Sequence, residues 1–385
     1  MVESAGPTLA LNRPSDLARE HLLAQDRRAL FRVVYEGFLE AKALAGAHVE
    51  DCFSIGGYVV KLRFAGDALV PIITRALAHL RTAPTAAPDL TLCLWDSVST
   101  GRPLPLLASS LLRLLRITWL EDRGVRGEIL DYSDSGLNAA LEGQDTDILS
   151  LLDLEQNLGI YWTPDWSALP WYEAGAPLRT LLSWWFARQG WLTLHGGAVG
   201  LPTGGLLLAG RGGSGKSTTA LASLDSALRY AGDDYCLVKL QPGQGPRLHS
   251  LYNTAKVKGS TDFVRFPWMA GQITNAERIG PDGEKPMMFV QEHRPDKLIT
   301  GFPLKVVVLP RFIPDLAEPK VIRVAPTSAL AALAESTIMQ LTGTSGDALR
   351  GISALVRQTP CYLVGVTADL GLIPPLLLNL LAEHS

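Results

Sequence analysis

The sequence predicts an α/β protein in which a smaller α+β domain precedes a larger α/β domain built around a P-loop. Apolar runs typical of buried strands and segments of helical periodicity recur along the 385 residues. A phosphate-binding motif lies between one such strand and one such helix. A segment rich in Pro and Trp, residues 163–171, separates the two halves, so we place the domains at residues 1–165 and 166–385.

The first half is predicted to form the smaller α+β domain. Apolar residues with helical spacing predict helices over residues 26–43 and 68–80. Alternating apolar and polar residues predict strands over 59–64 and 90–95. Strands and helices joined by turns in this way are typical of an α+β domain. Because the first half carries no cluster of acids, bases or cations for phosphate chemistry, we expect it to recognise the substrate or to be accessory.

The second half is predicted to be the α/β domain. In chain order its pattern predicts helix 177–188, strand 191–195, strand 206–209, helix 216–224, strand 235–240, strand 304–309, helix 328–341, helix 347–356, strand 361–365 and helix 374–383. Some two hundred residues of this kind fall within the usual size of one domain.

Composition excludes several classes of protein. With 47% hydrophobic and 19% charged residues the chain is an ordinary globular one, and its formal net charge of −3 argues against a nucleic-acid partner. Four cysteines without CxxC spacing argue against a zinc site or a disulfide framework. The most apolar stretch, residues 372–381, is short and contains two prolines, so no membrane span is expected. We predict a soluble, cytoplasmic protein.

Residues 210–217, Gly-Arg-Gly-Gly-Ser-Gly-Lys-Ser, fit the P-loop pattern GxxxxGK followed by Ser or Thr. The glycines let backbone N–H groups turn around phosphate oxygens, the start of the helix adds its positive dipole end, and Lys216 reaches the β- and γ-phosphates. Ser217 is the predicted Mg²⁺ ligand from this loop. The predicted nucleotide-binding residues are Gly210, Gly212, Gly213, Ser214, Gly215, Lys216, Ser217 and Thr218. The loop predicts a nucleoside triphosphate site.

An acid pair, Asp233 and Asp234, follows the P-loop by about one helix and precedes an apolar run. Two adjacent carboxylates beside a triphosphate can have different roles: one can orient Mg²⁺, and the other can take a proton from an attacking hydroxyl. The alternative is an ordinary Gly-Asp-Asp turn. His195 ends a predicted strand, and a hairpin through residues 201–205 would bring its imidazole near the P-loop strand. A structural histidine is the alternative there.

Three motifs, in their order and spacing, carry a family resemblance. His195-Gly-Gly-Ala-Val, the loop at residues 210–218 and Gly232-Asp-Asp resemble the HPr kinase/phosphorylase family and its HPr-kinase-like serine kinase relatives, some of which are associated with lasso peptide biosynthesis. Residues 249–256, 309–311 and 335–337 also look like these relatives. The resemblance covers about residues 177–385. The C-terminal signature loop used by the family's bacterial regulators to reverse the reaction has no match here.

The resemblance implies a fold, cofactors and roles for the site residues. The fold would be a mixed sheet related to that of phosphoenolpyruvate carboxykinase, and the cofactors would be ATP and Mg²⁺. One aspartate of Asp233 and Asp234 would be the catalytic base, with Ser217 and Asp234 as predicted metal ligands. His195 would belong to the active site.

Three cations are candidates for stabilising a migrating phosphoryl group, whose charge spreads over its peripheral oxygens: Lys256, Lys258 and Arg311. Lys256 and Arg311 are favoured, the first because it lies in a matching motif and the second because it follows a buried strand. A solvated surface cation is the alternative for each.

We therefore expect an ATP- and Mg²⁺-dependent kinase that transfers the γ-phosphoryl group to a serine hydroxyl of a peptide or small protein. Two alternatives stay open: a kinase of free serine or another small hydroxyl metabolite, and a non-catalytic nucleotide-sensing module. A sensor needs no catalytic base, so the acid pair argues against that second alternative. The expected partner is the peptide substrate, and a homo-oligomer is compatible with the sequence.

Overall fold

A computed structural model describes residues 16–46, 48–105, 127–129, 136–142, 147–241, 243–257, 263–279, 284–313, 316–338, 340–341 and 345–384. The candidate cation Lys258 lies outside these residues. No helix within the described ranges is both long and apolar enough to cross a membrane.

The first half contributes one mixed sheet. Its strands are β1 His48–Ile55, β2 Tyr58–Ala65, β3 Arg81–Thr82, β4 Leu90–Asp96, β5 Leu137–Glu142, β6 Ile148–Asp153 and β7 Leu158–Thr163. In the described part of the chain their order is β3-β1-β2-β4-β7-β6-β5. Strands β2, β4 and β7 are parallel, and the remaining pairs are antiparallel. The two strands predicted here are confirmed as parts of β2 and β4.

The second half contributes a larger mixed sheet and a small hairpin-like pair. The strands are β8 Trp191–His195, β9 Gly197–Leu201, β10 Gly204–Leu208, β11 Arg229–Gly232, β12 Tyr235–Gln241, β13 Gly245–Ser250, β14 Thr254–Lys256, β15 Met287–Phe289, β16 Gly301–Phe312, β17 Lys320–Arg323 and β18 Cys361–Val366. The described strands of the large sheet run β11-β9-β10-β16-β13-β12-β8, and β18 joins β16 to β17. Strand β16 is parallel to β10 and β18, whereas β14 and β15 pair separately. The molecule is thus a mixed α/β protein.

Helices cover and connect these sheets. The described α-helices are Asp16–Ala45, Val70–Thr74, Ser97–Thr100, Trp171–Gly175, Arg179–Arg188, Lys216–Ala222, Val290–His293, Pro326–Ile338, Ser345–Gln358 and Ile373–Ala382. The described 3₁₀ helices are Arg75–Leu80, Trp166–Ala168, Ser223–Asp225, Pro267–Gln272, Ala276–Arg278, Pro295–Lys297 and Leu370–Leu372.

Two predicted helices end differently from the prediction. The predicted helix over residues 68–80 is a short α-helix, Val70–Thr74, that continues as the 3₁₀ helix Arg75–Leu80. Its apolar residues face the core in both forms, so periodicity alone does not separate them. The helix predicted over residues 216–224 ends its α-helical part at Ala222 and also finishes as a 3₁₀ turn.

The hairpin predicted around residues 201–205 exists, but His195 is not part of it. Strands β9 and β10 form the hairpin, with Leu201 opposite Gly204. The backbone changes partner at Gly196, so that β8 pairs with β12 and His195 lies opposite Tyr235. The imidazole therefore reaches the acid pair from the β12 side of the sheet rather than from the P-loop strand.

One hydrophobic cluster contains residues of both halves. It includes Phe53 and Leu92 from the first sheet, with Trp185 and Leu237 from the second half, each at most 2% exposed. Trp185 packs edge-on against Tyr58 with ring centroids 5.2 Å apart. Burial of such large side chains contributes about 2–3 kcal/mol each, so the two sheets stabilise one another. The division at residue 165 stays a prediction.

Gly205 makes room for a buried aromatic ring in the large sheet. A Cβ placed on Gly205 of β10 would lie 2.3 Å from the Phe302 ring of β16. Phe302 is fully buried. The absence of a side chain at Gly205, within the strand that precedes the loop, is therefore required by packing and not by backbone conformation.

Candidate active site

The glycine-rich loop of residues 210–215, for which a P-loop is predicted, lies between strand β10 and a helix that begins at Lys216. The Ala209 N–H donates to the Val308 carbonyl at 2.8 Å, which continues the parallel pairing to the start of the loop. Gly210, Gly213 and Gly215 have φ angles of 146°, 83° and 108°. These values are unfavourable for residues with a Cβ, so the glycines are needed for the loop's shape.

Lys216 is buried against the loop it follows. Its Nζ donates to the Gly210 carbonyl at 2.6 Å and to the Arg211 carbonyl at 3.2 Å. Burial lowers the pKa of Lys216, and the positive charge of Lys285 adds to that effect, whereas the acid pair opposes it. The Lys216 ammonium therefore lies against the loop backbone, with the Gly210 and Arg211 carbonyls as its hydrogen-bond acceptors.

The acid pair lies at the turn between β11 and β12, directly against the P-loop helix. Asp233 Oδ2 accepts the Lys256 backbone N–H at 3.2 Å, and that bond and the nearby Ser217 hydroxyl both act to lower the pKa of Asp233. Burial and the neighbouring Asp234 charge raise the pKa of Asp233 to about 7. Asp233 is thus the aspartate whose pKa the Ser217 hydroxyl affects.

The Asp234 side chain has a different environment, because both of its oxygens are engaged by nitrogen donors. Oδ2 accepts from Lys256 Nζ at 2.5 Å, and Oδ1 accepts from His195 Nε2 at 3.1 Å. Burial acts to raise the pKa of Asp234, but the Lys256 ammonium and the His195 bond outweigh it and hold that pKa well below its usual range. Asp234 is therefore ionised.

His195 bridges the acid pair and a helix behind it. Its backbone N–H donates to Thr337 Oγ1 at 3.2 Å, and its ring lies 5.3 Å from the Tyr235 ring. Burial lowers the pKa of His195, so the ring is neutral and its Nε2 carries the proton donated to Asp234. Among the described residues the buried Nδ1 has no hydrogen-bond partner.

The two predicted cations are placed differently. Lys256, at the end of β14, joins the acid pair directly. Arg311 is exposed near the end of β16 and follows Pro310, which lies beside the P-loop: a Cβ placed on Gly215 would be 3.8 Å from the Pro310 Cβ. Arg311 therefore lies at the rim of the loop and is not among the described groups that bond to the acid pair.

The donor set suits the predicted ligands. One hydroxyl and two carboxylates, from Ser217, Asp233 and Asp234, are hard oxygen donors of the kind Mg²⁺ prefers. The Ser214 hydroxyl is buried without a partner among the described residues, and a Cβ on Gly212 would meet no atom within 4 Å. These features fit a loop whose donors face a phosphate group. Within the described ranges no cluster of three or more His, Cys, Asp and Glu side chains could hold a metal ion.

Two features of the site carry no sequence signal. Lys285 affects Lys216 electrostatically, although it lies in no motif and precedes β15 by two residues. Glu173 is buried near Lys256, and burial raises its pKa to about 7, with Glu142 adding and Arg179 opposing. Only the pairing of distant strands brings these residues to the site, so periodicity and spacing could not reveal them.

The buried acids connect the first sheet to this region. Tyr161 of β7 donates to Glu173 Oε2 at 3.3 Å, and Arg179 lies 3.8 Å from a Glu142 oxygen at the end of β5. The Arg179 guanidinium also lies 5.5 Å from the centre of the Tyr235 ring. The first half of the chain therefore reaches the edge of the site through side chains.

The chain matches no family model and no curated protein. Among solved structures, an HPr(Ser) kinase/phosphatase from Coxiella burnetii is similar, with 16% sequence identity and a TM-score of 0.26, over 50% of this chain and 95% of that chain. The relationship is a distant structural one, and a similarity of this size does not transfer an activity, a substrate or a set of site residues to this chain.

Proposed function

We propose that the protein is an ATP- and Mg²⁺-dependent kinase that transfers the γ-phosphoryl group to a serine hydroxyl of a peptide or small protein. The observation that carries this proposal is the proximity of the acid pair to the loop: the nearby Ser217 hydroxyl lowers the pKa of Asp233, and both aspartates act electrostatically on the buried Lys216 ammonium. A loop with the P-loop sequence pattern and a buried acid pair therefore lie side by side. A phosphate site alone fits many nucleotide-binding proteins, whereas an adjacent buried carboxylate pair also fits proton transfer.

The residues available divide into those that hold the nucleotide and those that handle the proton. The loop glycines and Lys216 would bind the phosphates, and Ser217 with the acid pair would hold Mg²⁺. When bound, Mg²⁺ would neutralise phosphate charge.

The two aspartates are suited to different tasks. Both oxygens of Asp234 accept hydrogen bonds from nitrogen donors, so this carboxylate has little capacity left for a new proton. Among the described groups, the Asp233 carboxylate accepts a hydrogen bond only from the Lys256 backbone N–H. Asp233 is thus the better acceptor for the proton of the attacking hydroxyl, while Asp234 keeps Lys256 in place. In the reaction the acceptor oxygen bonds to the γ-phosphorus and the bond to ADP breaks.

The choice of a serine in a peptide rests on the motifs that resemble HPr-kinase-like serine kinases and on the large first half of the chain. Its sheet contributes Tyr161 and Glu142 to the network beside the site, so it is close enough to act on an acceptor. A free-serine kinase needs no such additional domain.

The test is incubation with Mg²⁺-ATP and serine-containing peptides, followed by mass measurement. We expect one added phosphate on serine, none after Ser→Ala in the peptide, and none with Lys216→Ala enzyme. Rapid phosphorylation of free serine with peptides ignored would replace the peptide acceptor by a metabolite. ATP binding without transfer to any hydroxyl would favour the nucleotide-sensing module.

A further inference from the structure

Lys256 reaches Asp234 through a narrow space between two elements. The helix Trp171–Gly175 connects the two halves of the chain and packs on the lysine side chain. A Cβ placed on Gly175 would lie 2.8 Å from Lys256 Cε, 3.2 Å from Lys256 Nζ and 3.0 Å from Met287 Sδ. Met287 is the direct antiparallel strand partner of Lys256, so the two side chains lie next to each other on the face that meets Gly175.

The glycine at this position has no backbone explanation. Gly175 is the last residue of the helix Trp171–Gly175 and does not have a positive φ, so no left-handed backbone conformation requires glycine there. The Lys256 side chain occupies the space that a side chain at position 175 would need, which explains the glycine. An added methyl group would meet the far end of a flexible side chain, which can move, rather than backbone, which cannot.

A second side chain of the same helix covers the ammonium. The Trp171 ring centroid lies 5.1 Å from Lys256 Nζ, within the distance of a cation–π contact. Lys256 Nζ thus has an anion, Asp234, and an aromatic face, Trp171, as partners, and its side chain is only 11% exposed. Removing either contact leaves the ammonium free to turn toward solvent.

We infer that Gly175 and Trp171 are positioning residues that hold the Lys256 ammonium against Asp234, so that the segment connecting the two halves of the chain controls phosphoryl transfer. This inference rests on the proposed function for its effect on turnover, but the position of the lysine can be measured independently. The two residues act through Lys256 and touch no reacting atom in this account.

The first measurement is the reactivity of the lysine itself. Limiting acetic anhydride is added to the full-length chain, and acetylation of Lys256 is quantified by mass spectrometry relative to exposed Lys320. With Gly175→Ala we expect Lys256 to react roughly tenfold faster, the scale of one lost charge-assisted hydrogen bond. The matched control is Gly271→Ala, at an exposed helical glycine where a Cβ would meet no atom within 4 Å. Equal Lys256 reactivity in the parent and in Gly175→Ala would overturn the positioning.

The second measurement is turnover with water as acceptor. Steady-state ATP hydrolysis is expected to lose roughly tenfold in kcat in Gly175→Ala, with KM for Mg²⁺-ATP and the melting temperature little changed, because the charge is displaced while the P-loop is intact. Trp171→Phe should keep most of the rate, and Trp171→Leu should lose it. A purely structural role would instead lower the melting temperature and leave kcat unchanged, which would refute the inference.

The two hypotheses fail in different ways. A parent protein that transfers phosphate neither to water nor to any peptide or small hydroxyl refutes the proposed function, whatever the lysine does. A parent that turns over ATP, with a Gly175→Ala variant of equal kcat, refutes control by this segment and leaves the proposed function standing.

Discussion

Replacing Asp234 by Asn tests whether the two carboxylates of the acid pair have different electrostatic environments. In the parent the Asp234 carboxylate accepts from the Lys256 ammonium at 2.5 Å and from His195 at 3.1 Å. Asn keeps the shape of the side chain but removes its charge, so the lysine loses its counter-ion while it is 11% exposed. Removing one partner of a buried ion pair costs about 3–5 kcal/mol of stability. Because the lysine keeps some exposure to solvent, we expect the free energy of unfolding to fall by about 3 kcal/mol.

The matched control is Asp233→Asn, one residue away. The Asp233 carboxylate is buried beside a second carboxylate, and among the described residues no cationic side chain is hydrogen-bonded to it. Removing its charge relieves repulsion, and an amide oxygen can still accept the Lys256 backbone N–H. We expect the free energy of unfolding to change by less than about 1 kcal/mol or to increase.

The assay is thermal unfolding of the three proteins with EDTA present and nucleotide absent, so that binding does not contribute to stability. At about 2 °C per kcal/mol, Asp234→Asn should lower the melting temperature by roughly 6 °C. Phosphoryl transfer should fall by about 10²-fold or more in both variants, the scale of a lost base or metal ligand. Equal melting temperatures for the two variants would refute the difference in electrostatic environment between Asp233 and Asp234. Unchanged phosphoryl transfer in both variants would refute a catalytic role for the acid pair.

Three further predictions concern the loop, the junction between the halves and the core. Lys216→Ala should abolish ATP binding measured by calorimetry while circular dichroism stays that of the parent; parent-like affinity would contradict the P-loop assignment. Burial lowers the pKa of His79 to about 3. The folded state then binds fewer protons than the unfolded state between pH 6.5 and 3, so stability present above pH 6.5 is lost as the pH falls, by up to about 2 kcal/mol at pH 5. Urea unfolding at pH 7.5 and 5 should show this loss in the parent and less of it in His79→Asn, and identical losses would contradict it. Gly205→Ala should lower stability by about 1–3 kcal/mol because its Cβ would overlap the Phe302 ring, and an unchanged urea midpoint would contradict that packing.

Local features of the fold could be predicted from the sequence where their cause is local. The glycines of the loop define its shape because Gly213 and Gly215 adopt left-handed φ values. Strands such as Trp191–His195, which has the bounds predicted for it, follow from apolar runs. The 3₁₀ continuation at Arg75–Leu80 could not be predicted, because the apolar spacing there suits either kind of helix.

Residue patterns were enough to locate a loop with the P-loop pattern, an acid pair and a strand-end histidine in this chain, because each is a short motif with local chemistry. The three-dimensional fold set their arrangement. It placed His195 opposite Tyr235 instead of in the P-loop hairpin, engaged Asp234 with Lys256, left Arg311 at the rim, and threaded the lysine past Gly175. These are contacts between residues far apart in the chain, set by strand order and by packing that no local pattern encodes.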